Sequence, residues 1–84
     1  MEKNKILVVD DEAPILRLLS QLFTKAGYDV STAENANDAL ELIDKENIIV
    51  MFFDLNMPVI TGMELCRQVK SLKPMSIIYA ITGY

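Results

Sequence analysis

At 84 residues the chain is one small domain, and a domain of that size buries only about 60 to 65% of its extended-chain surface, so a hydrophobic share of 51% leaves apolar surface for a partner. A net charge of −4 without any run of Lys or Arg argues against direct nucleic-acid binding. One cysteine, Cys66, excludes an internal disulfide, and the lack of histidine leaves oxygen ligands, which suit magnesium, calcium or manganese rather than zinc or copper.

Residues 6–9 form a continuous aliphatic run too short for a helix and read as a buried strand. Pro14 then falls in a first helical turn, and Ile15, Leu18, Leu19, Leu22, Phe23 and Ala26 recur at helical spacing until Gly27 stops the helix. Residues 28–32 alternate apolar and polar side chains, which predicts a strand at a sheet edge. Asn35 caps a second helix with Ala36, Ala39, Leu40 and Ile43 facing inward, ending near Glu46 or Asn47. Residues 48–53 are apolar throughout, as in a central parallel strand covered on both faces. Thr61 to Glu64 has the pattern of a capping box for a third helix whose inward stripe is Leu65, Val69 and Leu72, interrupted by Pro74. Residues 75–81 read as a fourth strand.

Strict alternation of strand and helix predicts a single α/β domain over residues 1–84, with right-handed crossovers, a parallel sheet and helices on its faces. Ligands of such sheets bind beyond the carboxyl ends of the strands. Asp10, Asp11, Asp54 and Thr82 all fall there. No segment reaches the roughly 18 apolar residues of a membrane span, and none resembles a leader, so a cytoplasmic protein without membrane contact is expected.

Adjacent residues of a strand point to opposite faces, so Asp10 and Asp11 share a ligand only if the backbone has left the pleat after Val9. The pair also reads as an acidic first turn of the helix, together with Glu12. Asp54 is harder to explain as a cap, because a carboxylate following six apolar residues is desolvated unless a cation or N–H donors meet it. Three carboxylates at one sheet edge repel one another and recruit a hard cation, Mg2+ above all, and Asp54 becomes a candidate nucleophile forming an acyl phosphate. Thr82-Gly83 alone is a strand-ending turn. Gly62 suggests close packing or an unusual turn, Cys66 a small core hydrophobe, and Met51, Met57, Met63 and Met75 core filling.

The strings at residues 9–12 (VDDE), 54–65 (DLNMPVITGMEL) and 81–84 (ITGY) resemble, over essentially the whole chain, the CheY-like receiver domain of bacterial two-component response regulators. The resemblance implies a flavodoxin-like doubly wound sheet of order 2-1-3-4 and a signalling domain that catalyses its own phosphorylation and dephosphorylation rather than an ordinary enzyme. It implies that Asp54 accepts a phosphoryl group from a histidine kinase, and that Asp11 and Asp54 ligate Mg2+ directly while Asp10 acts through water. Asn56 would offer its backbone carbonyl to the ion, Met57-Pro58 would shape that loop, Thr82 would be the switch hydroxyl, and Gly83 would leave room for the phosphodonor.

Receiver domains of this family continue through a fourth helix, a fifth strand bearing a Lys and an aromatic switch residue, and a fifth helix, none of which these 84 residues include. Lys70 and Lys73 lie at the far end of the third helix and cannot replace that Lys. The fourth strand would then be an exposed apolar edge, which predicts a homodimer or larger assembly. The alternative function is a docking or dimerisation module whose acids are retained but not phosphorylated. A haloacid-dehalogenase-type phosphatase would instead need Asp-x-Asp after the first strand, where this chain has adjacent acids.

Overall fold

The computed structural model describes residues 4–57 and 61–81. The chain alternates β1 (Lys5–Val9), α1 (Ala13–Lys25), β2 (Asp29–Ala33), α2 (Ala36–Lys45), β3 (Val50–Asp54), α3 (Gly62–Leu72) and β4 (Ile77–Ile81). The sheet has the order β2-β1-β3-β4 with every pair parallel, as the resemblance implied. Val9 pairs with both Ala33 and Phe53, and Asp54 pairs with Ile81, so the strands end along one rim.

Alternation along β1 sends Leu7 and Val9 to one face and Ile6 and Val8 to the other, and all four are buried. On the first face Leu7, Val9, Met51 and Phe53 pack with Ala36, Ala39 and Ile43 of α2 and with Leu65 and Val69 of α3. On the second face Ile6 and Val8 pack under Leu16 of α1, flanked by half-buried Leu19, Phe23, Val30, Val50, Phe52 and Ile81.

Local signals act as expected at three helix ends. Asn35 Oδ1 accepts the Asp38 N–H at 2.8 Å, Thr61 Oγ1 accepts the Glu64 N–H at 3.2 Å, and Gly27 takes φ +102° after the last turn of α1. The reciprocal arm of the expected capping box goes elsewhere, since the Glu64 carboxylate accepts from Arg67 Nη1 at 3.2 Å.

Several expectations need correction. α1 buries Leu16 and partly covers Leu19 and Phe23, whereas Leu18 and Leu22 are 52% and 54% exposed and Ala26 is exposed. One helix lying on a sheet buries a stripe about one residue wide per turn, and Leu16, Leu19 and Phe23 occupy it. Leu72, at the last residue of α3, is 66% exposed: it keeps the phase of Leu65 and Val69, but the stripe ends in solvent. Met63 and Met75 are exposed, while Met51 and Met57 fill the core as expected.

Strand β2 starts at Asp29 rather than Tyr28, because the Tyr28 N–H donates to the Phe23 carbonyl at 3.1 Å and closes the end of α1. β3 starts at Val50 because the Ile48 N–H turns back to the Glu46 carbonyl at 3.0 Å, and β4 starts at Ile77 because Ser76 donates to the Lys73 carbonyl at 3.0 Å. The second face is also less covered than a central strand implies, with Val50 and Phe52 only half-buried. Among the described residues no strand pairs with the outer side of β4, whose Ile77 and Tyr79 are 48% and 52% exposed.

The contrast within α3 is testable by urea denaturation. Leu65→Ala removes a fully buried side chain and is expected to cost about 2 to 5 kcal/mol, whereas Leu72→Ala is expected to stay within about 0.5 kcal/mol of the parent.

Candidate functional site

The rim where β1 and β3 end carries the acidic residues that the sequence singled out. The Asp10 N–H donates to the Ala33 carbonyl at 3.1 Å, which extends the β1–β2 ladder by one step and holds Asp10 fully buried. Asp10 Oδ1 then accepts the Glu12 N–H at 2.8 Å. This carboxylate-to-backbone turn takes the chain out of the pleat, so the side chains of Asp10 and the exposed Asp11 are no longer forced to opposite faces.

Asp54 ends β3, is buried, and repeats the device: its Oδ1 accepts the Asn56 N–H at 3.0 Å. The Leu55 N–H donates to the Ile81 carbonyl at 3.4 Å, and Met57 is buried in the core, so the turn after Asp54 is held at both ends. Carboxylate oxygens of Asp10, Asp11 and Asp54 lie within 4.8 Å of one another. The structure thus brings together the three acids, with Asn56 beside Asp54. Thr82, Gly83 and Pro58 lie outside the described residues.

The cluster raises the proton affinity of Asp11. Loss of hydration, a hydrogen bond shared with the Asp54 carboxyl, and repulsion from Asp54 and Asp10 raise the Asp11 carboxyl above its ordinary range, against a smaller lowering by its own backbone N–H. The described lysines do not relieve this. Lys5 opens β1, Lys25, Lys45 and Lys70 lie near the C-terminal ends of α1, α2 and α3, and Lys73 caps α3, all toward the opposite rim. Lys70 donates there to the Ser76 carbonyl.

The donor set fits a hard divalent cation, being three carboxylates without nitrogen or sulfur. What sequence reasoning did not locate are the backbone partners, namely the Ala33 carbonyl and the Glu12 and Asn56 N–H groups. Both turns have a signal in an Asp placed two residues before the donor.

Residues 6–84 match the family model described as the response regulator receiver domain. Chemotaxis protein CheY4 of Vibrio cholerae is similar at 32% identity and TM-score 0.90, covering 98% of this chain and 72% of its own. Response regulator TrrA of Thermotoga maritima, solved in complex with Mg2+-BeF, is similar at 36% identity and TM-score 0.91, covering 96% of this chain and 70% of its own. TrrA in complex with the histidine kinase ThkA gives 36% identity and TM-score 0.89, with 96% and 70% coverage.

Removing the ionisable group at Asp11 has a measurable sign. A carboxyl whose pKa is raised on folding penalises the folded state once ionised, so the penalty appears as pH rises through the ordinary carboxylate range and is full above the raised value. In EDTA at neutral pH, Asp11→Asn is expected to melt above the parent in a thermal scan, and the difference is expected to shrink as the pH is lowered below the ordinary carboxylate range.

Proposed function

The chain belongs to the response regulator receiver domain family, and from that premise we propose that Asp54 accepts a phosphoryl group from a histidine kinase in magnesium-dependent two-component signalling. The observation that carries this is the convergence of Asp10, Asp11 and buried Asp54 to within 4.8 Å at the carboxyl ends of adjacent parallel strands.

Asp54 supplies the nucleophile. An oxygen lone pair attacks phosphorus, the bond from phosphorus to the donor's histidine nitrogen breaks, and its electron pair returns to the imidazole, leaving an acyl phosphate. The Asn56 N–H holds Asp54 Oδ1 and so fixes the rotamer from which attack occurs. Asp11 and Asp54 would hold the ion directly, with the Asn56 backbone carbonyl, and Asp10 would hold it through water. Magnesium, when bound, neutralises the carboxylates and the incoming phosphoryl oxygens. Thr82 follows Ile81, the residue in register with Asp54, and we assign it the switch hydroxyl.

A histidine kinase as donor is supported by the similar protein TrrA, whose complex is with one. The reaction is autocatalytic signalling chemistry and not turnover of a metabolite. Among the described residues no helix is long and apolar enough to cross a membrane, and the net charge of −4 disfavours a nucleic-acid partner. We place the protein in the cytoplasm.

One observation favours a second reading, in which the domain is a dimerisation or docking module. The outer edge of β4 carries no charge or proline to blunt it, and Ile77 and Tyr79 are half exposed. Two copies related by a twofold axis would pair β4 antiparallel, with Tyr79, the central residue of the five-residue strand, on the axis.

Incubation with acetyl phosphate and Mg2+ is expected to add one phosphoryl group to the parent by intact mass under neutral handling, slowly because no described lysine faces Asp54. Asp54→Asn, or EDTA, is expected to abolish the gain, and a parent that gains no more mass than the variant would leave the docking module as the function. For assembly, sedimentation velocity at micromolar concentration is expected to show a dimer that Tyr79→Lys dissociates. A parent that sediments as a monomer defeats the β4 pairing.

A further inference from the structure

We infer that Gly62 is a positioning residue for the phosphoacceptor, because the missing side chain at the start of α3 lets the helix seat against the backbone of Asp54. The inference rests on the function proposed for Asp54. A Cβ on Gly62 would stand 2.1 Å from the Asp54 carbonyl oxygen and 2.8 Å from both the Asp54 carbonyl carbon and Leu55 Cα. All three are backbone atoms, so no rotamer change relieves the overlap.

The requirement at Gly62 is for space and not for an unusual backbone, since Gly62 is helical and its φ is not in the left-handed region. Gly27 is the opposite case, with φ +102° and nothing within 4 Å of the corresponding Cβ position.

Which side yields to an added methyl decides the consequence. On the helix side, Leu65 and Val69 are fully buried among β3, α2 and β1 side chains, and a close-packed core resists displacement. On the strand side, the turn after Asp54 rests on the Asn56 N–H bond at 3.0 Å, the long Leu55 N–H bond to Ile81 at 3.4 Å and, past Asn56, the single buried side chain of Met57. The turn is the weaker side. Asp54 and Asn56 therefore move, and with them the carboxylate and the backbone carbonyl assigned to the ion.

The test compares the parent, Gly62→Ala and the neighbouring control Met63→Ala, whose side chain is exposed. The readouts are the Asn56 amide by 1H–15N NMR, magnesium affinity by titration, and cooperative thermal unfolding. Gly62→Ala is expected to melt cooperatively, to shift and deprotect the Asn56 amide, and to weaken magnesium binding about 10- to 100-fold, as loss of an outer-shell support does. Met63→Ala is expected to match the parent in all three. If Gly62→Ala does not fold, the same readouts are taken on Gly62→Ala with Leu65→Val, which removes volume behind α3. Failure of both to fold overturns the inference, since Gly62 would then guard the fold and not the site.

An Asn56 amide unmoved in the folded variant overturns it whatever happens to magnesium. A parent that binds no magnesium, with an Asn56 amide that still moves in Gly62→Ala, overturns the function proposed for Asp54 and leaves the positioning role standing.

Discussion

The structure turns on the parallel register of β1 against β3, which pairs Val9 with Phe53 and so sets Asp10 and Asp54 side by side where the two strands end. Holding the buried carboxylates of Asp10 and Asp54 together opposes folding, because a desolvated charge costs on the order of several kcal/mol before any partner is found. The register cannot slip to relieve it. Ile6, Leu7, Val8 and Val9 are buried on both faces of β1, and a one-residue shift would exchange the side chains presented to the two cores. Hydrophobic burial along four residues thus enforces an unfavourable electrostatic arrangement at the fifth. The Glu12 and Asn56 N–H groups offset part of the cost, and a hard cation is the natural complement for the rest.

The two faces of the sheet contribute unequally to that enforcement. On the α2 and α3 side the buried cluster runs from Ile43 and Ile48 up to Phe53 and Met57, directly beneath Asp54 and the turn that follows. On the α1 side, among the described residues, only Ile6, Val8 and Leu16 are fully buried. Aromatic rings continue that side outward. Phe23 lies 4.8 Å from Phe52, Phe52 stacks on Tyr79 at 5.0 Å and 19°, and Tyr79 ends the row half exposed at the β4 edge. Among the described residues the site therefore stands on the better-packed face.

What was legible in the sequence follows from which signals are local. The βαβ order, the Asn35 and Thr61 caps and the Gly27 stop depend on residues a few positions apart, and the structure repeats them. Acids after apolar runs were legible because burial makes a lone carboxylate conspicuous. Less legible was anything decided by neighbours in space. Leu18 and Leu22 satisfy a helical period but lie outside the one stripe that a single helix presses onto the sheet. Met75 continues an apolar run, yet the turn between Lys73 and Ser76 keeps it off the ladder. Gly62 had a visible spacing, but that its Cβ position coincides with the Asp54 carbonyl is a relation between two elements, which no local pattern encodes.

Charge is sorted along the strand direction, and the sorting follows from the crossovers. Each right-handed βαβ crossover starts its helix at the carboxyl rim of the sheet and ends it at the other. The N-terminal ends of α1, α2 and α3, the positive ends of their dipoles, therefore stand on the acidic side. Lys25, Lys45 and Lys70 sit in the last turns, where the dipole favours cations. These lysine side chains are in this way drawn to the rim away from the carboxylates, whereas Arg67 is held by Glu64 in the first turn of α3. The N–H groups bonded to the carboxylates, those of Glu12 and Asn56, are backbone groups fixed in place. They can hold a carboxylate in one orientation but carry no full charge. On the function proposed for Asp54, a phosphoryl group brought there would depend for charge neutralisation on an exchangeable cation, which would make occupancy of the carboxylate cluster a condition for the chemistry and not an accessory to it.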